Sequence, residues 1–236
     1  MRTAIVTGGS RGIGLAIARA ILADLGRVMI TGREQSGIDA AVDALGRSGD
    51  ATRVAGRVAD VRERASVDAL MDETERRFDG FDTLVNNAGV GAFANVEEMT
   101  DADWHRVIET NLTGVFYCSR AAIPRLKKSG GGWIINIASL AGRNYFTGGA
   151  AYCASKAGLI AFSESLMQEV RFDNIRVSVV MPGSVDTEFS GPSKGDVSWK
   201  LQPDDVGQAV LDLLHHPARS LPSKVEIRPA KTGRPT

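Results

Sequence analysis

Cysteine is almost missing from this chain. There are two, Cys118 and Cys153, and no metal-type spacing involves them. That argues against a disulfide scaffold and fits a reducing compartment. A charge excess is missing too: Lys plus Arg number 28 and Asp plus Glu number 28. No basic or acidic balance therefore points to nucleic acid or to an anionic membrane, and any positive site must be local. No apolar run is long enough to span a bilayer. No internal repeat, low-complexity tract or linker breaks the chain, and no signal peptide precedes the first strand, which starts at about Arg2. The pair His215–His216 invites a metal, but adjacent helical residues point in different directions and no third ligand is near in sequence. The expectation is a soluble cytoplasmic protein with one domain over residues 1–236. At 43% hydrophobic and 24% charged, the composition is ordinary for a globular chain able to bury a sizeable core.

What the chain does have is alternation. "TAIVT", "RVMIT", "TLVNN", "WIINIAS", "RVSVVMP" and "KVEIRP" are short, β-branched and nearly continuously apolar, with a weaker candidate in "TRVAGRVAD". Such runs suit a parallel sheet covered on both faces. Helical spacing separates them: Ile13, Ala16, Ile17, Ala20 and Ile21; Val67, Leu70, Met71 and Thr74; Leu159, Phe162, Leu166 and Val170. Thr100 and Asp103 predict a capping box before a helix running from Trp104 to Ile123. Strand–helix alternation throughout predicts an α/β doubly wound parallel sheet. The longest irregular stretch, Glu188–Pro203, follows a late strand. It reads as a substrate lid or as an ordinary connection.

The glycine loop "TGGSRGIG" lies between the first strand and the first helix. Glycine permits the sharp turn and lets a phosphate approach the backbone, while the following helix N-terminus offers free N–H groups. Its spacing is not the G-x-G-x-x-G fingerprint, so alone it reads equally as a tight turn. "AYCASKAG" puts Tyr152 and Lys156 one helical turn apart. An ammonium there would favour the phenolate and make the phenol a better acid–base group, although a surface pair has the same spacing. Ser139, just past a strand end, is placed to bond a substrate oxygen or to cap a turn. "LVNNAG" and "VMPGSVDT" sit at two further strand ends, where doubly wound sheets bind ligands.

Order and spacing carry more than any one stretch. T-G-x-x-x-G-x-G, N-N-A-G, the Asn of "TNLTG", a Ser thirteen residues before Y-x-x-x-K, and P-G-x-V-x-T follow one another. In combination they resemble the short-chain dehydrogenase/reductase family from Arg2 to about Pro229. The resemblance implies a single-domain Rossmann fold with a seven-stranded parallel sheet, and hydride exchange between a nicotinamide cofactor and a carbonyl/alcohol pair. It assigns catalysis to Asn111, Ser139, Tyr152 and Lys156. Tyr152 would exchange the proton. Lys156 would hold the nicotinamide ribose and depress the Tyr152 pKa. Ser139 would orient the substrate oxygen, and Asn111 would break its helix and hold a relay water. Gly8, Ser10, Gly12, Ile13 and Gly14 would surround the phosphates and the adenosine ribose. Asp60 and Val61 would meet the adenine, Asn87, Ala88 and Gly89 would line the adenine-ribose channel, and Pro182, Gly183, Val185 and Thr187 would serve the carboxamide end.

Gly32 stands where an NAD-preferring member often has Asp, and Arg33 follows it. Arg33 and Arg11 would converge on the ribose 2′-phosphate, so the expected cofactor is NADP(H). Glu34 is read more simply as a first-turn helix acid. The expected substrate is a small ketone or a 3-oxoacyl compound, as in reductases of the 3-oxoacyl-carrier-protein type. A 3-hydroxy acid or other alcohol dehydrogenase is the alternative enzyme, and a non-catalytic NADP-binding sensor the alternative of another kind. The family pattern adds a homo-dimer or homo-tetramer built through the "NLTGVFY" and "YCASK" helices and the last strand, and no metal. Cys153 reads as a packed thiol, and Trp104 and Trp133 as structural. Tyr145 is left between pocket and packing, and Trp199 is the tryptophan placed to touch substrate.

Overall fold

A computed structural model describes residues 2–24, 26–47, 49–190 and 196–231. Every predicted strand forms: β1 (Thr3–Val6), β2 (Arg27–Gly32), β3 (Val54–Val58), β4 (Thr83–Asn86), β5 (Gly132–Ile137), β6 (Ile175–Pro182) and β7 (Lys224–Ile227). The helices are α1 (Gly12–Ala23), α2 (Gln35–Arg47), α3 (Arg64–Phe78), α4 (Asp101–Ile108), α5 (Gly114–Lys128), α6 (Ala150–Val170) and α7 (Pro203–Leu214). All strands pair in parallel, in the order β3-β2-β1-β4-β5-β6-β7. The order reverses between β1 and β4, which opens a crevice beyond their C-terminal ends.

Strand alternation divides the core into two layers. Ala4 and Val6 of β1 and Val28 and Ile30 of β2 pack with Ile17 and Ile21 of α1 and Val206 and Val210 of α7. Ile5 and Met29 face the other way, toward Leu70 and Met71 of α3, Leu126 of α5 and Leu166 of α6. Burying each such aliphatic side chain is worth about 1.5–3 kcal/mol. This explains why the strands read as continuous apolar runs: both faces need side chains. No helix among the described residues is long and apolar enough to cross a membrane.

Two sequence readings are refined. The helix running from Trp104 to Ile123 is interrupted at Asn111, where the family resemblance placed a break: a π-helical turn, Glu109–Thr113, separates α4 from α5. Thr100 caps α4 by accepting from the Asp103 N–H at 3.1 Å, while Asp103 bonds the Thr100 hydroxyl rather than its backbone. The stretch Glu188–Pro203 begins with a 3-10 turn at Glu188–Ser190 and returns through a parallel bridge between Val185 and Leu201. Its centre, 191–195, lies outside the described residues. Pro203 then opens α7 inside a capping box formed by Gln202 and Asp205, a signal the sequence reading passed over.

Candidate active site

The crevice is a cleft of about 1030 Å³ running from the glycine loop to Tyr152. The loop forms because β1 ends at Val6 and α1 starts at Gly12, leaving few residues for the reversal. Gly12 takes φ +54°, and a Cβ there would approach nothing nearer than Thr187 Cγ2 at 3.6 Å, so this glycine faces the cleft. Gly14 does something else. A Cβ on it would lie 2.2 Å from the Gly8 carbonyl oxygen. Gly14 lets the first turn of α1 pack under the loop; it is buried and does not line the cleft, contrary to its expected place in the phosphate shell. The N-cap of α1 is Arg11, with no side-chain cap. That leaves the first N–H groups without a side-chain partner and suits an anion.

Thr7 ties this loop to the next strand end. Its buried hydroxyl accepts from the N–H groups of Asn87 and Ala88, each at 3.0 Å. The Asn87 amide in turn donates to the carbonyls of Thr7 and Gly8, each at 3.0 Å. The "TGGSRGIG" and "NNAG" segments are thus one hydrogen-bonded unit. Thr7 opens the loop motif, but its role as a clip depends on the pairing of β1 with β4 and is not visible in the chain order.

Ser10, Arg33, Asp60 and Val61 line one end of the cleft. A Cβ on Gly32 would come within 3.0 Å of Ser10 Oγ, so an acidic side chain at that position would crowd Ser10. Asp60 is held by Arg62, whose guanidinium donates to both carboxylate oxygens, the shortest bond being 2.6 Å. Those bonds hold the Asp60 carboxyl below its ordinary range against the opposing pull of burial. Arg62 also lines the cleft, and the sequence reading missed it; its signal is an acid and a base two residues apart just beyond β3. The two arginines expected to converge line the same cleft but face different acids. Arg33 is close enough to Asp60 to act on its charge, whereas Arg11 reaches toward Glu188, 3.8 Å away. Both members of that pair are highly exposed, so two long side chains have met across the cleft mouth in a weak pair. Glu34 is exposed and lies outside the cleft.

Tyr152, Lys156 and Ser139 meet at the other end. α6 carries the first two on one face, and Ser139 sits just past β5. The Ser139 hydroxyl accepts from the Ala141 N–H at 3.1 Å, capping a 3-10 turn, and also bonds the Tyr152 phenol. The capping reading of Ser139 is thus met, with its hydroxyl turned toward Tyr152. Lys156 is buried and donates from Nζ to the Ile137 carbonyl at 2.9 Å. Burial pulls its pKa down to about 8. The expectation that Lys156 holds the Tyr152 pKa down is not met in this structure. Burial pushes the phenol up, and the Ser139 bond only partly opposes it. The reason is geometric: the ammonium is turned to the Ile137 carbonyl, 5.8 Å from the centre of the tyrosine ring.

Asn111 lies in the π-helical turn and is fully buried, outside the cleft lining. Its amide donates to the Val90 carbonyl at 2.9 Å and to Ser155 Oγ at 3.0 Å, and its side-chain oxygen accepts from the Val90 N–H at 2.8 Å. The side chain thereby pins the segment after Gly89 against α6. Pro182, which ends β6, and Gly183, Val185 and Thr187 beyond it complete the wall of the cleft. His215 bonds Asp24 and His216 bonds Ser220, so each imidazole serves its own local contact. Trp133 is buried beneath the Arg176 guanidinium, Tyr145 is 71% exposed beside a smaller pocket that Cys153 also lines, and Trp199 lines the main cleft.

Known proteins share this arrangement. The family model described as short chain dehydrogenase matches residues 2–197. The chain is 39% identical over 189 residues to the 3-oxoacyl-[acyl-carrier-protein] reductase FabG of Escherichia coli (strain K12), covering 80% of this chain and 75% of that protein. Its fold is similar to an alcohol dehydrogenase of the archaeon Thermococcus sibiricus, solved with 5-hydroxy-NADP, at TM-score 0.90 and 30% identity over 100% of this chain and 99% of that one. It is also similar to a metagenomic short-chain oxidoreductase solved with NADP, at TM-score 0.85 and 35% identity over 98% of each chain. With the family's motifs on one cleft of the expected sheet, the chain belongs to the short-chain dehydrogenase/reductase family of oxidoreductases.

Proposed function

We propose that this protein is an NADP(H)-dependent reductase of a small carbonyl compound, with Tyr152 as its general acid. The observation that carries the reading is the meeting of Ser139, Tyr152 and Lys156 at one end of a cleft whose other end holds the glycine loop and Arg33. The Gly8–Gly12 backbone and the start of α1 would hold the cofactor's phosphates. Arg33 would bond the ribose 2′-phosphate, in space that Gly32 leaves open beside Ser10. Two similar solved structures hold NADP or its 5-hydroxy derivative, which supports the same choice here.

Bound NADPH would supply the hydride. The protein's own groups do the rest. Ser139 orients the substrate oxygen, and the Tyr152 hydroxyl gives it a proton. With burial keeping the phenol protonated, Tyr152 stands ready as an acid, the form that reduction needs. Lys156, anchored at Ile137, would hold the ribose hydroxyls of the nicotinamide end. Asn111 acts through position, keeping Gly89 and Val90 against α6. A Cβ on Gly89 would approach Asn111 Oδ1 at 3.3 Å, so a side chain there would press on the residue that holds this wall.

The test is NADPH absorbance followed across a panel of ketones, 3-oxoacyl thioesters and aldehydes. Wild type should oxidise NADPH with at least one of them. Tyr152→Phe should lose on the order of a hundredfold or more in kcat while binding NADPH normally by fluorescence. Wild-type binding without hydride transfer to any carbonyl, or from any alcohol with NADP, would leave the protein a cofactor sensor.

A further inference from the structure

Three phenylalanines from three separate loops gather at the mouth around Tyr152. Phe93 follows β4, Phe146 precedes α6, and Phe189 follows β6. Phe93 meets the Tyr152 ring edge-on at a centroid distance of 5.7 Å, and Phe189 meets it at 5.6 Å. Phe146 packs on Phe93 at 6.0 Å. These are the separations at which aromatic rings attract. Yet the cluster is not core: Phe93 is 47% exposed, Phe146 49% and Phe189 44%. Half of each ring faces the cleft.

The backbone beneath is built to take them. A Cβ on Gly91 would lie 2.8 Å from the Phe93 ring and 3.1 Å from the Phe189 ring. A Cβ on Gly149 would lie 2.6 Å from the Phe146 ring. Two glycines thus form the seats on which three rings rest. Trp199 adds another aromatic side chain to the same lining.

We infer that the substrate bears an apolar ring, aryl or alicyclic, directly beside its carbonyl carbon. The inference rests on the reductase reading above, because it places the substrate carbonyl at the Tyr152 hydroxyl. A flat or rigid ring there packs against the Phe93 and Phe189 rings without freezing rotors, whereas a linear chain loses conformational freedom for the same contact. A cationic group gains less from this wall, since the Lys156 ammonium lies just behind Tyr152 and repels it. Three rim arginines are offset by acids, which weakens their pull on an acidic carrier protein. Arg143 and Arg228 both pair with Glu226, and Arg11 faces Glu188.

The experiment compares kcat/KM for acetophenone, cyclohexyl methyl ketone, 2-octanone and an acetoacetyl thioester of N-acetylcysteamine, with NADPH saturating. The first three have the same carbon count and differ in ring or chain. Each ring ketone should exceed 2-octanone and the thioester by about tenfold or more, the range that pocket shape and apolar contact provide. Phe93→Ala and Phe189→Ala should bring the ring-to-chain ratio down by about tenfold, mainly through KM. Both rings are half-exposed, so these variants should fold, and NADPH fluorescence titration checks that they do. Equal or better use of 2-octanone or the thioester by wild type overturns the inference while leaving the reductase reading standing. A ratio unchanged in both variants does the same. NADPH oxidation with none of the four overturns the inference, and the broader carbonyl panel then decides the reductase reading separately.

Discussion

At the scale of single residues, the adenosine end separates what charge can do from what it is doing. Arg33 sits in the cleft wall beside Asp60, while Arg11 has turned to Glu188. An exposed ion pair is worth roughly 0–1 kcal/mol, so a phosphate would draw Arg11 away easily. Discrimination between cofactors is therefore argued from Arg33. Arg33→Ala should lower kcat/KM for NADPH by about tenfold to a hundredfold, the worth of one charged hydrogen bond, and change NADH by no more than about twofold. Equal losses for both cofactors in initial-rate measurements would remove Arg33 from the 2′-phosphate. Arg62 shows the limit of sequence reading at this scale. Its partnership with Asp60 leaves the Asp60 carboxylate shaped by a neighbour two residues away, and only that spacing of acid and base marks it in the chain.

At the scale of elements, the first turn of α1 and the π-helical turn do related work. Each is a local departure that brings two chain segments closer than a regular element permits. Gly14 allows α1 to begin directly under the Gly8 carbonyl, 2.2 Å from where a Cβ would stand. Because the obstacle is backbone, the loop has to move to make room. Gly14→Ala should reduce stability by about 1–3 kcal/mol, read as a lower thermal midpoint, and weaken NADPH binding by about tenfold through the displaced N–H groups. Unchanged affinity in a fluorescence titration would show that the loop tolerates the shift. The π-turn works the other way, widening the helix so that Asn111 can reach both Val90 and Ser155. Periodicity alone reads there as one continuous amphipathic helix, because it reports the buried face and not the number of residues in a turn; the break at Asn111 came from the family resemblance.

At the scale of the whole molecule, the fold buries a lysine, and stability must depend on pH accordingly. The Lys156 pKa falls from 10.5 to about 8 on burial. Below pH ~8 both folded and unfolded chains carry the charge, and the penalty for burying it is fully present. Between about 8 and 10.5 the folded chain has released the proton while the unfolded chain still binds it, so stability rises with pH. Above 10.5 both are neutral and the penalty is gone. Relative to Lys156→Met, wild type should gain stability across that window, with a slope approaching ~1.4 kcal/mol per pH unit. Denaturant unfolding of both proteins at pH 7.5 and at pH 10 measures it. Parallel pH dependences would mean that Lys156 is solvated in the folded protein.

The sequence by itself determined the strands, most of the helices and which residues, Ser139, Tyr152 and Lys156, would share one cleft. It could do so because parallel strands buried on both faces read as apolar runs, and because Ser139, Tyr152 and Lys156 lie within one short stretch whose spacing survives folding. Tertiary structure alone decided three things. Packing of α6 against β6 and the turn after β5 set the Lys156 ammonium on the Ile137 carbonyl, so burial and not the lysine dominates the Tyr152 phenol. Pairing of β1 with β4 made Thr7 a clip between the glycine loop and the segment after β4. Convergence of three loops brought Phe93, Phe146 and Phe189 to one mouth. Each depends on residues far apart in the chain, whose distance is fixed only when the sheet order is.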